Sequence, residues 1–329
     1  MNKTLSVLLA FLILVIFLTL VVPPHKPMNS QLIPMNAATE VPPAIKTVSG
    51  AEKSLVPEAW VIVPENCRAC QTGPIVDQLK VLFPKLKVEY IGSQESQAMD
   101  LINTFQIRML PAYILSKQVE SEPNFAQISF MTTFFKEKYY INPAYSGLSY
   151  FWGRVLEPKK IDIFVFLTDP SAPVVLKILK QISEKTNNST QVNMRLIAAQ
   201  DPVTGQLMSP AGQAELTEDK LYVCIDKYYP QRIWDFLNCR FSDQNRLWLE
   251  ECLNQNEIKK DQIKGCLSGE ESLQLLKEKT KLSAELKIFY APVILLDNVE
   301  IFGISSQTTA EEILSVADPS YARRKEKTD

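Results

Sequence analysis

Cys67, Arg68, Ala69 and Cys70 place two thiols three residues apart. Such a pair can exchange disulfides, one thiolate attacking and the other resolving the mixed disulfide. The motif follows an apolar run, Trp60-Val61-Ile62-Val63, and precedes a helix-like run from about Cys70 to Phe83 with Ile75, Val76, Leu79 and Leu82 on one face. At a helix start, the unpaired N–H groups of the first turn would stabilise a thiolate on Cys67. Arg68 would favour that thiolate and Glu65 would oppose it. The chain has one histidine, His25, far from the pair in sequence. That excludes Ser-His-Asp and Cys-His catalysis, histidine-ligated zinc or copper, and c-type haem attachment. No cofactor and no metal are expected. Copper or zinc delivery through C-x-x-C is a weak reading, since no histidine, methionine cluster or acidic group is placed to help.

The elements around the pair alternate. After the strand and the C-x-x-C helix come a strand at Lys87 to Ile91 and a helix over about Glu95 to Phe105 with Met99, Ile102 and Phe105 at helical spacing. A strand entered through a proline follows, Met109-Leu110-Pro111-Ala112-Tyr113-Ile114-Leu115. Cys67 and Pro111 are 44 residues apart.

This order and separation, over about residues 58–117, resemble the thioredoxin superfamily. The resemblance implies a cis Leu110–Pro111 bond facing the cysteines, with the Leu110 backbone docking substrate. Leu110 and Pro111 are therefore the candidate substrate-binding residues beside Cys67 and Cys70. The chain also departs from that family. Asn66 stands where thioredoxins carry a tryptophan, Val61 occupies the place of their buried acid, and Arg68-Ala69 is none of the familiar dipeptides of reductant, oxidant or isomerase members.

A second run begins at Lys160. Ile161 to Leu167 reads as a buried strand, and Thr168-Asp169-Pro170-Ser171-Ala172-Pro173-Val174-Val175 opens a helix reaching about Ser183. This is similar to the strand and helix start of Dsb-type domains, with Ala172 and Val175 where the thiols would stand. Toward the C-terminus, Phe289 to Leu296 repeats the proline-entered strand, followed by the turn Asp297-Asn298, the run Glu300-Ile301-Phe302 and a helix over Ala310 to Val316. The 120 residues from Ala172 to Pro292 leave room for a large helical insertion.

The expected fold class is thus α/β, two thioredoxin-like domains in tandem, preceded by one transmembrane helix. The expected organisation is an anchor or signal segment at 1–22 and a proline-rich linker at 23–57. A C-x-x-C domain at 58–158 precedes a degenerate domain at 159–319 with a helical insertion at about 200–285, and a charged tail covers 320–329. The aromatic pairs between 118 and 158 suggest the first domain's last strands and an apolar connection.

Cys224, Cys239, Cys252 and Cys266 fall in the insertion at intervals of 15, 13 and 14 residues. Zinc sites usually draw ligands from close pairs, so this spacing points to structural disulfides. Four cysteines allow three pairings. Helices near 219–236, 245–253 and 258–266 would let nested bridges, Cys239–Cys252 and Cys224–Cys266, staple neighbouring helices.

Leu5 to Val22 is apolar except for Ser6 and Thr19, and as a helix would span about 27 Å, close to a bilayer's hydrocarbon core. Lys3 precedes it, which places the N-terminus in the cytoplasm and the body in the periplasm or outside the cell. Read as an anchor or as a cleaved signal, the segment exports the body to where disulfides persist. Seven prolines between 23 and 57 make an extended spacer. A net charge of −2 offers no field for nucleic acid.

Two functions fit. One is a single-pass, membrane-anchored, extracytoplasmic thiol-disulfide oxidoreductase acting on protein thiols or disulfides, with the direction of electron flow and any membrane electron donor left open. The other is a non-catalytic thioredoxin-fold binding or scaffolding protein whose C-x-x-C is structural or vestigial.

Overall fold

The computed structural model describes residues 56–147, 149–186, 189–201, 203–241, 249–305, 307–318 and 321. The expected anchor at 1–22, nearly all of the linker, and the tail apart from Tyr321 lie outside them. Among the described residues no helix is long and apolar enough to cross a membrane.

Strand β1 (Glu58–Val63) runs parallel to β2 (Lys87–Gly92) and antiparallel to β4 (Ala112–Ser116). The hairpin of β5 (Thr132–Phe135) and β6 (Lys138–Ile141) completes a five-stranded sheet in the order β2-β1-β4-β6-β5. Successive strand side chains point to opposite faces, and here both faces are covered. Ala59, Val61, Tyr113 and Leu115 share a core with Val76, Leu79 and Phe83 of helix α1 (Gly73–Leu82) and the residue after it. Ile62, Ala112 and Ile114 pack with Ala98, Leu101 and Ile102 of helix α2 (Ser96–Phe105).

The proline-entered strand is broken at Pro111. Its first piece, β3 (Met109–Leu110), leaves the first sheet and pairs with β7 (Tyr150–Phe151). Both belong to a second, six-stranded sheet of order β3-β7-β13-β12-β8-β9, built from β8 (Lys160–Val165), β9 (Gln191–Leu196), β12 (Val293–Leu296) and β13 (Glu300–Gly303). Met109 and Phe151 pack with Phe164, Val293 and Leu295 of this sheet. Tyr150 and Phe151 are thus strand residues of the second sheet, and both sheets lie in one compact unit, Ser54–Asp329.

In the second sheet, helix α3 (Ala172–Lys185) follows β8 and helix α9 (Ala310–Ala317) follows β13. The succession strand-helix-strand, cis-proline strand, hairpin and helix is thioredoxin-like. Thr309 caps α9 in a reciprocal box with Glu312, which satisfies its first N–H groups. Between β9 and β12 lie a short hairpin, β10 (Ala199–Gln200) with β11 (Leu207–Met208), and five helices: α4 (Gln213–Tyr228), α5 (Ile233–Phe241), α6 (Leu249–Gln255), α7 (Lys260–Ser268) and α8 (Glu270–Leu286). A disulfide joins Cys224 on α4 to Cys266 on α7, and another joins Cys239 on α5 to Cys252 on α6.

Candidate active site

Cys67 and Cys70 are bonded to each other, with Cα atoms 5.5 Å apart, in a loop between β1 and α1. Both are half-buried. The helix starts at Gly73, later than the apolar pattern suggests. Pro74 supplies the reason. A helix extended back through Cys70 would set the proline ring against the carbonyl four residues earlier, that of Cys70, and remove a hydrogen bond. The first-turn N–H groups therefore belong to a helix that begins beyond both cysteines. Asn66, just before the pair, adopts a left-handed backbone with φ 61°, which its short polar side chain tolerates.

The loop instead meets a residue from the far end of the chain. Glu300, at the start of β13 and only 2% exposed, directs one carboxylate oxygen at the C-x-x-C turn. Its Oε2 accepts the Arg68 N–H at 2.8 Å and the Ala69 N–H at 3.0 Å, and lies 3.8 Å from Cys67 Sγ. In the disulfide that sulfur carries no proton, so the last contact becomes a hydrogen bond only on reduction. Glu300 Oε1 accepts from Arg68 Nε at 2.8 Å and lies 2.7 Å from its Nη2.

Arg68 Nη2 also reaches Asp297 Oδ2 at 2.6 Å, and Nη1 donates to the Ala317 carbonyl at the end of α9 at 3.0 Å. Desolvation pulls the Arg68 guanidinium down, and its bonds to Asp297 and Glu300 more than offset this, so it is held above its ordinary value. The positive charge expected to favour a Cys67 thiolate is thus committed to two carboxylates. Glu65, expected to oppose the thiolate, points into solvent, and the acid beside the sulfur is Glu300.

Glu300 arrives through the strand ladder. Leu110 pairs with Tyr150, and Tyr150 with Glu300, so the three residues stand side by side across β3, β7 and β13. The Ser149 N–H donates to the Leu110 carbonyl at 3.0 Å, and the Trp152 N–H to that of Arg108 at 2.9 Å. The Leu110–Pro111 bond is cis, Pro111 is buried and Leu110 has no exposed surface. The Leu110 backbone, to which the resemblance assigns substrate docking, is engaged by the chain's own strand β7.

In the second sheet the equivalent place is closed. Ala291–Pro292 is also cis, but Ala172 and Val175 are packed in the core, 0% and 1% exposed. Above them Glu215 of α4 accepts from the Thr168 N–H at 2.7 Å and from its hydroxyl at 2.5 Å. One turn along α4, Asp219 is fully buried, and among the described residues neither of its oxygens meets a hydrogen-bond donor. Burial first, then Glu215 and Glu218, push its carboxyl well above the ordinary value.

Of the insertion cysteines, Cys224, Cys252 and Cys266 are buried and Cys239 packs against the same core. Among the described residues no group of three or more His, Cys, Asp or Glu is arranged to hold a metal ion. Sequence reasoning missed Glu300, Asp297 and Tyr150. The separation of 233 positions between Cys67 and Glu300 left no local signal beyond an acidic residue opening an apolar strand.

Fold and site together define an α/β sheet with a cis-proline strand and one cysteine pair, beside a second sheet of thioredoxin-like succession that has no cysteine at the equivalent place. No protein-family model matches the sequence, and no curated protein does. Solved structures match about half of the chain. Among them are Proteus mirabilis ScsC in a transitional conformation (14% identity, TM-score 0.37, covering 50% of this chain and 68% of that one). Another is the thiol-disulfide exchange protein alpha-DsbA2 of Wolbachia pipientis (12% identity, TM-score 0.37, 49% and 81%). A thioredoxin-like oxidoreductase of Silicibacter pomeroyi is a third (10% identity, TM-score 0.38, 50% and 86%).

Proposed function

We propose that this protein is an extracytoplasmic thiol-disulfide oxidoreductase, tethered through residues 1–22, that exchanges disulfides with protein substrates through Cys67 and Cys70. The observation that carries the reading is the half-buried Cys67–Cys70 disulfide in the turn between β1 and α1, in the same unit as the cis-proline strand. A client thiolate attacks Cys67 Sγ and displaces Cys70 as thiolate, which takes up a proton. A second client thiolate then attacks the client sulfur of the mixed disulfide, freeing Cys67. The client gains one S–S bond as the protein gains two S–H groups, and the reverse sequence reduces a client. Exposed Phe289 and Tyr290, just before the second cis-proline, offer an apolar surface to an unfolded client.

The full chain, reduced and oxidised, is to be assayed for insulin reduction and for refolding of a scrambled disulfide substrate. Turnover that disappears in Cys67→Ala, with mixed disulfides trapped by Cys70→Ala in cells, supports the reading. No turnover and no trapped client sink it.

A specific observation favours a second reading, a non-catalytic binding protein. β7 already occupies the Leu110 backbone, and Arg68, Asp297 and Glu300 pin the turn that holds the disulfide. In that reading the bridge shapes the turn so that Arg68 and Ala69 present their N–H groups to Glu300.

A further inference from the structure

The cysteine pair and the second sheet meet at one carboxylate, and the proposal drawn from this rests on the exchange reading of Cys67 and Cys70. Glu300 faces Cys67 Sγ, the two N–H groups of the turn and the Arg68 side chain. Among the described residues, the other charged or titratable groups around it are Asp297 at the head of the same hairpin and Tyr150 opposite on β7. The Asp297 N–H donates to the Lys160 carbonyl on β8 and the Lys160 N–H to Asp297 Oδ1, while the Lys160 ammonium pairs with Glu157 and Asp162.

Reduction changes what this carboxylate meets. The sulfur 3.8 Å away gains a proton, and S–H can donate to Oε2; a thiolate in the same place would confront a negative charge. The Arg68 and Ala69 N–H groups, which could have faced that thiolate, already point at Oε2.

We propose that Glu300, a carboxylate supplied by the second sheet, restrains the nucleophile of the cysteine pair: it accepts the Cys67 S–H in the reduced chain and holds the turn's N–H donors away from the thiolate. Cys67 then ionises at a higher pH than an ordinary thiol, whose pKa is about 8.5. The thiol-less unit governs the nucleophile of the thiol-bearing one. When the reduced protein attacks a client disulfide, Cys67 first loses its proton to solvent. The new S–S bond forms as one client sulfur leaves and is protonated, and Cys70 displaces the other. Two protein S–H groups become one S–S bond, and the client disulfide becomes two thiols. The first of these steps is the one Glu300 restrains.

The test is the pH profile of iodoacetamide alkylation at Cys67, read by peptide mass spectrometry on the full chain carrying Cys70→Ala. The pair cannot reclose there, and the insertion disulfides need no reductant. The expected midpoint lies above 8.5. Adding Glu300→Gln lowers it by about one pH unit, so that the thiolate fraction at pH 7 rises about tenfold and labelling about threefold, the less basic thiolate being the weaker nucleophile. Adding Arg68→Gln raises the midpoint, because Glu300 then acts on the sulfur uncompensated.

Opposite shifts are the signature, since mere loosening of the turn would move both variants toward the ordinary thiol value. An unchanged midpoint or slower labelling in Glu300→Gln overturns the proposal, the slower rate marking Glu300 as a base instead. Shifts in the same direction also overturn it. Client turnover is measured separately. Turnover without the opposite shifts removes this inference alone, whereas the shifts without turnover remove the exchange reading and leave the hold on Cys67 standing.

Discussion

The two halves of this molecule place different chemistry after their first strand. After β1 the chain makes a loop containing a disulfide and starts its helix only at Gly73. After β8 a turn over residues 166–171 leads into α3, which starts at Ala172, so that Ala172 and Val175, standing where the thiols would be, lie within the helix and go into the core. A thiol pair needs a turn that leaves sulfur reachable. A helix packed from its first turn gains apolar burial, at about 25 cal/mol per Å2, and loses that access. The contrast extends to the acids. Glu215 closes the second turn from the insertion above it, whereas Glu300 grips the first turn from a neighbouring sheet.

If this contrast is right, a thiol placed in the second half should be inert. Val175→Cys, in a Cys70→Ala background, should be alkylated at least about 100-fold more slowly than Cys67, because reagent reaches it only through local opening. Comparable rates would erase the distinction. The next effect is on stability. Removing Cys224–Cys266 by paired alanine substitutions should cost about 4 kcal/mol, given a closed loop of about 42 residues, as measured by urea denaturation. The loop closed by Cys67–Cys70 spans three positions, so cutting it should cost much less.

The smallest effect is pH-dependent. In the folded chain Asp219 is raised above its ordinary value of 3.8, so the native state keeps a proton that the unfolded chain has released. The stability linked to that proton is fully present below 3.8 and is lost as pH rises through the folded value. Asp219→Asn removes this loss. Its melting temperature should exceed the parent's by about 3 °C at pH 8 and match it near pH 3.5, by calorimetry. An equal gain at both pH values would show that Asp219 is not the group responsible.

Much of the fold was legible because its signals are local. The apolar alternation of Trp60 to Val63 and Ile161 to Leu167, the helical faces of α1 and α2, and both proline-entered strands can be seen within windows of about ten residues. The start of α1 was misjudged although its cause was also local, since Pro74 stands four residues after Cys70 and forbids the longer helix. The division of one proline-entered strand between two sheets was not legible. Met109 and Leu110 look like the strand that follows them, and only the arrival of Tyr150 and Phe151 gives them a different partner.

From the sequence alone come the number and spacing of thiols, the near absence of imidazole, and the periodicities that make this an α/β chain with one cysteine pair and four insertion cysteines. These are properties of composition and short-range pattern. Only the tertiary structure brought Glu300 to Cys67, committed Arg68 to two carboxylates, and filled the Leu110 edge with β7. The reactivity of a thiol depends on charges and donors within a few ångströms of its sulfur. Here the two carboxylates that set those surroundings come from residues more than 200 positions away, which sequence spacing does not reveal.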